Sequence, residues 1–553
     1  MRSKVLLLII FVFPVVIWIS IYTVRMDPEL KAPPFWSQFI SYSSQASNNE
    51  HEEKNKPLEK MYVTVLDKDP AYGYTFQDMN QMNQKESLEQ EPRLSAMLQI
   101  GSLQEAEVRA TIEQRGNSVR QSDLKSFKIR MDEEGPWNQQ HIINLNKHPF
   151  DYTRIRNKLS YDYLSLIPEL ASSETQFTQL YVKDLTANPP EQEFVDYGLF
   201  THVEQVNRGF LKRNGLDADG YLYKAINFEF YRYPELLRDR DDPLYDKAKF
   251  ETVLSISGRE YHEKLIRMLD DVNNDQLNFD RVFNKYFDKN NFLSWIAFNL
   301  MTGNLDTTGN NFFLYSSRFS DTWYFIPWDY DKAWNYDWQW GNKGNTIHPT
   351  REGLSLYWGW PLAKKFFQNP ANVEALNEKM ETLSGIMNKE RTKALLDQYY
   401  PTIQPMVLRS PDVQLLPKDV QRFDEEYYSL ADFTSNSLDK YYTHLEKPMP
   451  VFIGGPWLDK DRMTFTWGPS YDLQGDEIYY DVQIAQTPDF STMVYENKGL
   501  QETELTMERL PVGVYYWRVI IRDSQGHEQI AFESFIDGNG KFFHGVKQII
   551  IES

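Results

Sequence analysis

Three polar side chains have the types and spacing that phosphoryl transfer needs. Asp306 and Asn311 stand five residues apart in Gly303-Asn304-Leu305-Asp306-Thr307-Thr308-Gly309-Asn310-Asn311. Asp329 follows twenty-three residues after Asp306, at the end of the apolar run Trp323-Tyr324-Phe325-Ile326-Pro327-Trp328. Phosphoryl transfer requires a carboxylate to orient the acceptor hydroxyl, and divalent metal to bridge the phosphates. Magnesium is a hard cation that takes oxygen ligands. Asp306 has the chemistry of the base, and Asn311 and Asp329 that of metal ligands. Asp331, two residues on, is either a further ligand or a turn cap. A plainer reading stands beside this one. Asp and Asn are ordinary turn residues, and an Asp-x4-Asn spacing recurs by chance.

The elements around these residues decide whether they can meet. Asp288 is a candidate N-cap for a helix carrying Phe292, Leu293, Ile296 and Leu300, which Gly303 would end in a left-handed conformation. Two short strands, 312–315 and 323–326, would pair antiparallel and return Asp329 beside Asn311. Upstream, period-2 alternation predicts strands at 62–66, 94–100, 105–114, 125–131, 177–182 and 194–203. A helix is expected over 151–166 with Asp151 as N-cap. Residues 235–273 read as charged and mostly helical, and 362–400 and 424–445 as helical. From Pro448 the pattern turns strand-rich again, with Met463-Thr464-Phe465-Thr466-Trp467 and Tyr515-Tyr516-Trp517-Arg518-Val519 as its clearest strands. About ninety residues of this kind predict a small β-sandwich.

Composition bounds the function. The chain has 553 residues, too many for one core, so two or more domains are expected. Its 59 Lys and Arg against 79 Asp and Glu leave a net charge of −20, which disfavours nucleic-acid partners. The absence of cysteine excludes disulfides, thiolate zinc sites and cysteine nucleophiles. The nine histidines show no zinc-hydrolase spacing.

The N-terminus suggests a membrane. Met1-Arg2-Ser3-Lys4 is short and basic, and 5–24 carries no formal charge and is long enough to span a bilayer. No Ala-x-Ala-like site follows, which favours an uncleaved anchor over a signal peptide. The sequence therefore predicts a cytoplasmic tip at 1–4, a transmembrane helix at 5–24 and a polar stalk at 25–60. The bulk of the chain would lie outside a cell membrane as a single-pass protein.

Five segments in order carry a resemblance: Arg115-Gly116-Asn117-Ser118 with Lys125-Ser126-Phe127-Lys128-Ile129, then Ile155-Arg156-Asn157-Lys158-Leu159, then Tyr197-Gly198-Leu199-Phe200 with Glu204, then Asn304-x-Asp306-x4-Asn311, then Ile326-Pro327-Trp328-Asp329-Tyr330-Asp331. Together they resemble the spore coat protein CotH kinase family. The chain departs from ordinary eukaryotic kinases: no Gly-x-Gly-x-x-Gly precedes Lys125, Asn304-Leu305 stands where His-Arg would be, and Tyr330-Asp331 follows Asp329. The resemblance implies an α+β, atypical two-lobed protein-kinase-like domain, placed at 61–446. It also implies ATP with Mg2+ or Mn2+ as cofactors and serine residues of a protein substrate as acceptors. On it, Asp306 is the catalytic aspartate, and Asp329, Asn311 and Asp331 are the metal residues. Lys125 is the phosphate-contacting lysine with Lys128 as its rival, Glu204 lies near the adenine, and Arg156 and Lys158 reach phosphate. A solvated strand or helix face is the plain alternative for each of these cations. Residues 447–540 resemble a fibronectin type III module, expected to space the chain or bind another protein or a surface polymer, with 541–553 as a tail. Two further functions stay open: a catalytically silent adhesion scaffold, and a nucleotidyl transferase on the same site.

Overall fold

The alternating strands close into a barrel. The computed structural model describes residues 58–132, 137, 140–334, 347–416 and 420–552. Seven strands are β1 (Glu59–Val65), β2 (Arg93–Ile100), β3 (Val108–Arg115), β4 (Ser126–Met131), β5 (Ile142–Asn146), β6 (Thr175–Asp184) and β7 (Val195–Glu204). They hydrogen-bond in the order β1-β2-β3-β4-β5-β7-β6, and a parallel β1–β6 pairing closes the ring. Closure leaves no open edge. One face of each strand fills the interior, where Met61, Val63, Leu94, Ile112, Ile129, Ile143 and Leu180 are fully buried.

The helix between β5 and β6 is shorter than expected. It spans Arg156–Leu164, and Ile155 rather than Asp151 precedes it. Asp151 instead turns the chain ahead of the helix: its carboxylate accepts from the Thr153 and Arg156 amides, both at 3.0 Å. His148 and Arg154 take positive φ of 48° and 63° in the same turn.

The second body mixes a sheet with helices. Strands β8 (Tyr221–Ala225), β9 (Leu254–Ile256), β10 (Phe312–Ser316) and β11 (Tyr324–Pro327) form a sheet in the order β11-β10-β8-β9. The β10–β11 pair is the antiparallel ribbon that the sequence implies, with Phe312 opposite Pro327. The stretch 235–273 is less helical than its charge suggests. It holds only the helices Lys247–Phe250 and Glu263–Val272, with β9 between them. Pro234 and Pro243 break the helical pattern, since the residue before proline avoids helical angles.

The helix Lys289–Thr302 is the spine of this body. Asp288 caps it by accepting the Asn291 amide at 2.8 Å. Beyond Lys289 and Asn290 it is buried on every side. Trp295 packs against Phe312, Phe325 and Trp360, so the helix and the β10–β11 ribbon share one aromatic core. Gly303 ends it at φ 57°, as expected. The helices Pro361–Phe367, Pro370–Ile386, Lys389–Val407, Phe423–Ser429 and Phe433–Leu445 complete the body.

Two further sheets form the C-terminal sandwich. One contains β12 (Trp457–Asp459), β13 (Arg462–Thr466) and β16 (Glu504–Glu508). The other contains β14 (Ile478–Ala485), β15 (Met493–Leu500), β17 (Gly513–Asp523), β18 (Glu528–Ile530) and β21 (Val546–Ile551), with the hairpin β19 (Ser534–Ile536) and β20 (Phe542–His544) beside them. Phe465 and Trp517 meet between the sheets at a ring separation of 4.8 Å. Because β21 pairs with β17, the stretch read as a tail after 540 is part of this module.

The membrane-anchored architecture and the cell-membrane location are corrected here. Among the described residues no helix is long and apolar enough to cross a membrane. Residues 5–24, which prompted that expectation, and most of the stalk lie outside the described residues. The fold is a mixed one of helix and sheet, built around a closed seven-stranded barrel.

Candidate functional site

The site forms where the spine helix and the β10–β11 ribbon end together. After Gly303, Asn304 turns the chain by accepting the Asp306 amide at 3.2 Å. Thr307 Oγ1 lies 2.7 Å from the Tyr357 hydroxyl, and Arg351 donates to the Leu305 carbonyl at 2.6 Å, so the loop is fastened on both sides. Gly309 passes close to the next segment, its carbonyl accepting from the Phe228 amide at 2.7 Å. Its φ of 93° is one that a side chain resists.

The ribbon then carries out the expected return. Asn311 precedes β10 and Asp329 follows β11 by two residues, with Phe312 and Pro327 paired between them. Asn311 donates from Nδ2 to Asp306 Oδ2 at 2.9 Å. Asn311 and Asp329 both sit in the left-handed region, at φ 58° and 57°. Holding such residues there costs about 1–3 kcal/mol each, and strain of this kind concentrates at functional sites. Two contacts from the helix Arg156–Leu164 hold the second turn: the Asp329 amide donates to the Tyr161 hydroxyl at 3.2 Å, and the Tyr330 amide to Asn157 Oδ1 at 3.3 Å. Asp331 lies 3.6 Å from His148 Nδ1.

The electrostatics are those of crowded acids with cations around them. Burial, then the neighbouring Asp331, push the Asp329 carboxyl up to about 6, while Lys224, Arg115 and His148 oppose the shift. Burial lowers Lys224 and Arg115 from their ordinary values, and in each case Asp329 is the first group to counter it. Lys332 sits 3.1 Å from Asp306 Oδ2. Burial works against its charge, but Asp306, Asp331 and Asp329 outweigh it, and its pKa is raised.

Asp306, Asn311, Asp329 and Asp331 are thus drawn into one place, while the five candidate cofactor residues are dispersed. Lys128 lies nearest in its interactions: it is 3.5 Å from Glu113, and its charge feels Arg115. Lys125 faces elsewhere. Its ammonium donates to the Arg120 and Met82 carbonyls at 2.6 and 3.3 Å, on the wall of a separate cavity of about 1030 Å3 shared with Phe76 and Tyr197. Arg156 is fully buried and spent on Asp151 at 2.5 Å and the Trp334 carbonyl at 3.1 Å. Lys158 holds Asp162 at 2.5 and 2.6 Å. Glu204 is buried on β7, accepting from Arg213 Nε at 3.0 Å and the Glu174 amide at 3.1 Å. All four have protein partners that account for them.

Three cations escaped the sequence reading. Arg115 ends β3, at the loop already marked by Gly116. Lys224 lies on β8, a strand too short to stand out, and reaches over the Trp328 ring at 5.9 Å. Lys332 follows Asp331 directly, and its adjacency to the acidic motif was the available signal.

Asp329 and Asp331 supply carboxylate oxygens and Asn311 an amide oxygen, a donor set that fits a hard divalent cation. A metal there would neutralise phosphate charge. The raised carboxyl of Asp329 is consistent with this fit, since two close acids in a buried setting favour a cation between them.

A carboxylate–amide pair facing a strand-end carboxylate, with half-buried cations around it, has the groups that an anionic ligand carrying metal would need. The chain belongs to the CotH kinase protein family, whose model matches residues 112–440. It is 26% identical over 341 residues to the inner spore coat protein H of Bacillus subtilis (strain 168), an alignment covering 60% of this chain and 86% of that protein. The family match begins inside β3 and ends before the sandwich, and it contains every candidate site residue named above.

Proposed function

We propose that the chain is a CotH-like protein kinase that transfers the γ-phosphoryl group of ATP to serine residues of a protein substrate. Asp306 orients the acceptor hydroxyl and takes its proton. Asn311 and Asp329, aided by Asp331, hold Mg2+ or Mn2+. Arg115, Lys128 and Lys224 face the phosphates. The observation that carries this reading is the return of Asp329 to Asn311 and Asp306 by the β10–β11 ribbon, with two ligand candidates in left-handed conformations. The relative's name, an inner spore coat protein, supports a coat or surface protein as the substrate.

The test is incubation of the full chain with γ-labelled ATP, Mn2+ or Mg2+ and a serine-bearing acceptor. Wild type is expected to transfer label, and Asp306→Asn to lose at least about a hundredfold, the scale of a general base. Retained transfer in folded Asp306→Asn would remove the catalytic assignment. One observation favours the silent-scaffold reading: Asp306 Oδ2 is already engaged by both Asn311 and Lys332. A melting-temperature rise with ATP and Mn2+ beyond that with Mn2+ alone separates the two, because only a nucleotide-binding site gains from the nucleotide.

A further inference from the structure

A second group of acids lies far from Asp306 in the chain, at the start and end of two sandwich strands. Asp472 and Asp476 belong to the turn that leads into β14, and Asp523 ends β17. Each can present one carboxylate oxygen so that all three lie within 4.8 Å of one another. Asp472 and Asp523 are only 5% and 4% exposed.

Most of their oxygens have donors. Asp472 Oδ1 accepts from the Gln474 and Asp476 amides at 2.9 and 3.0 Å. Asp476 Oδ1 accepts from Ser524 Oγ and Gln525 Nε2, both at 3.0 Å. Asp523 accepts from the Gln525 and His527 amides at 2.9 Å through Oδ1, and Oδ2 lies 2.8 Å from His527 Nδ1. Asp472 Oδ2 is different: it is buried and has no hydrogen-bond partner. Among the described residues, neither Asp472 nor Asp476 pairs with a lysine or arginine. A buried carboxylate oxygen without donor or counter-ion is costly, and two more acids beside it raise that cost.

We propose that Asp472, Asp476 and Asp523 form a calcium site. Three carboxylates and no nitrogen or sulfur donor of their own favour a hard cation. The three oxygens lie close enough together to share one ion. Magnesium gives up its waters reluctantly and is seldom held by a dedicated set of protein carboxylates, which favours calcium. The ion ties the turn before β14 to the β17–β18 hairpin. That turn also docks the sandwich: Tyr471, next to Asp472, stacks on Trp358 at 5.8 Å and donates to the Gln368 carbonyl at 3.0 Å. Calcium therefore stiffens the join between the sandwich and the helical body.

The test uses the full chain, stripped with EDTA and then titrated with Ca2+, Mg2+ or Tb3+. Asp329→Asn serves as the control for metal binding at the Asp306 cluster. Millimolar Ca2+ is expected to raise the melting temperature by several degrees in wild type and in Asp329→Asn, and Mg2+ at the same concentration by clearly less. Tb3+ luminescence is expected to be excited through Tyr471 and displaced by Ca2+. Both signals are expected to vanish in Asp472→Asn. Should that variant fail to fold, the partly exposed Asp476→Asn carries the same test, with at least a tenfold weaker Ca2+ response. A calcium response that is missing from wild type, survives both substitutions, disappears in Asp329→Asn, or is matched by Mg2+ would overturn the proposal.

Discussion

Asp329 is disfavoured by the fold on two counts. Its φ of 57° is left-handed, and its carboxyl is held at about 6 by burial and by Asp331. The folded value lies above the ordinary 3.8, so the folded protein binds the Asp329 proton more tightly than the unfolded chain does. Metal-free stability is therefore lost as pH rises from about 4 to about 6, and the full penalty is present at pH 7.5. Asp329→Asn removes the charge and keeps a side chain that tolerates the left-handed region. We expect this variant, in EDTA, to be more stable than wild type by about 1–2 kcal/mol at pH 7.5 and equal to it near pH 4, the figure discounted for partial solvent access. Urea unfolding at the two pH values measures this, and a loss of stability at pH 7.5 would refute the electrostatic account. Wild-type Mn2+ affinity should fall about tenfold per pH unit below pH 6, because the metal competes with that proton. Titration calorimetry at pH 5, 6 and 7.5 reads the slope.

The spine helix and its stop set the position of the Asp306 loop. Gly303 is left-handed at φ 57°, and a Cβ there would come within 2.7 Å of the Phe433 ring. Alanine at this point meets both a backbone cost of about 1–2 kcal/mol and a clash with a packed aromatic. Gly303→Ala is expected to destabilise the protein by about 2–4 kcal/mol in chemical unfolding. It should also displace the loop that presents Asp306, so phosphoryl transfer falls in the protein that remains folded. A substitution with unchanged stability would mean that the helix end and Phe433 yield easily. The helix and the ribbon were legible in sequence because their signals are local: a capping aspartate, a left-handed glycine and two apolar runs about a turn apart. The start of the helix after β5 was not, because Asp151 is used by a turn that Thr153 and the buried Arg156 complete. Residues 235–273 misled for a related reason, since charge alone does not distinguish a solvated helix from capped turns.

At the scale of the whole molecule, the sandwich is fastened to the helical body by a few side chains. Tyr471 stacks on Trp358, Gln529 Nε2 donates to Ser355 Oγ at 3.4 Å, and His348 Nε2 lies 3.2 Å from the Glu533 carbonyl. Trp358 is buried beneath this join. A chain ending at Glu446 would uncover it. We expect that truncation to lower the melting temperature and to bind a hydrophobic dye that wild type excludes. An unchanged melting temperature and no dye binding would show that the join contributes little. The family match stops at residue 440, so the sandwich side of this join lies beyond the matched residues.

Sequence alone determined which residues could do the chemistry in the Asp306 stretch, and that their spacing allowed them to meet. Residue type and local period carry that information, because a base, an amide and a carboxylate must be those chemical groups whatever surrounds them. Sequence also supported the family, since five ordered segments repeat its pattern. The tertiary structure decided which cations face the acids. Lys125, Arg156 and Lys158 have the right charge, but barrel closure and helix packing give them partners of their own. Arg115, Lys224 and Lys332 come from three separate elements and reach one place only when β3, β8 and the β11 turn are assembled. Charge is written in each residue, but proximity in space depends on the long-range pairing that packs these elements together.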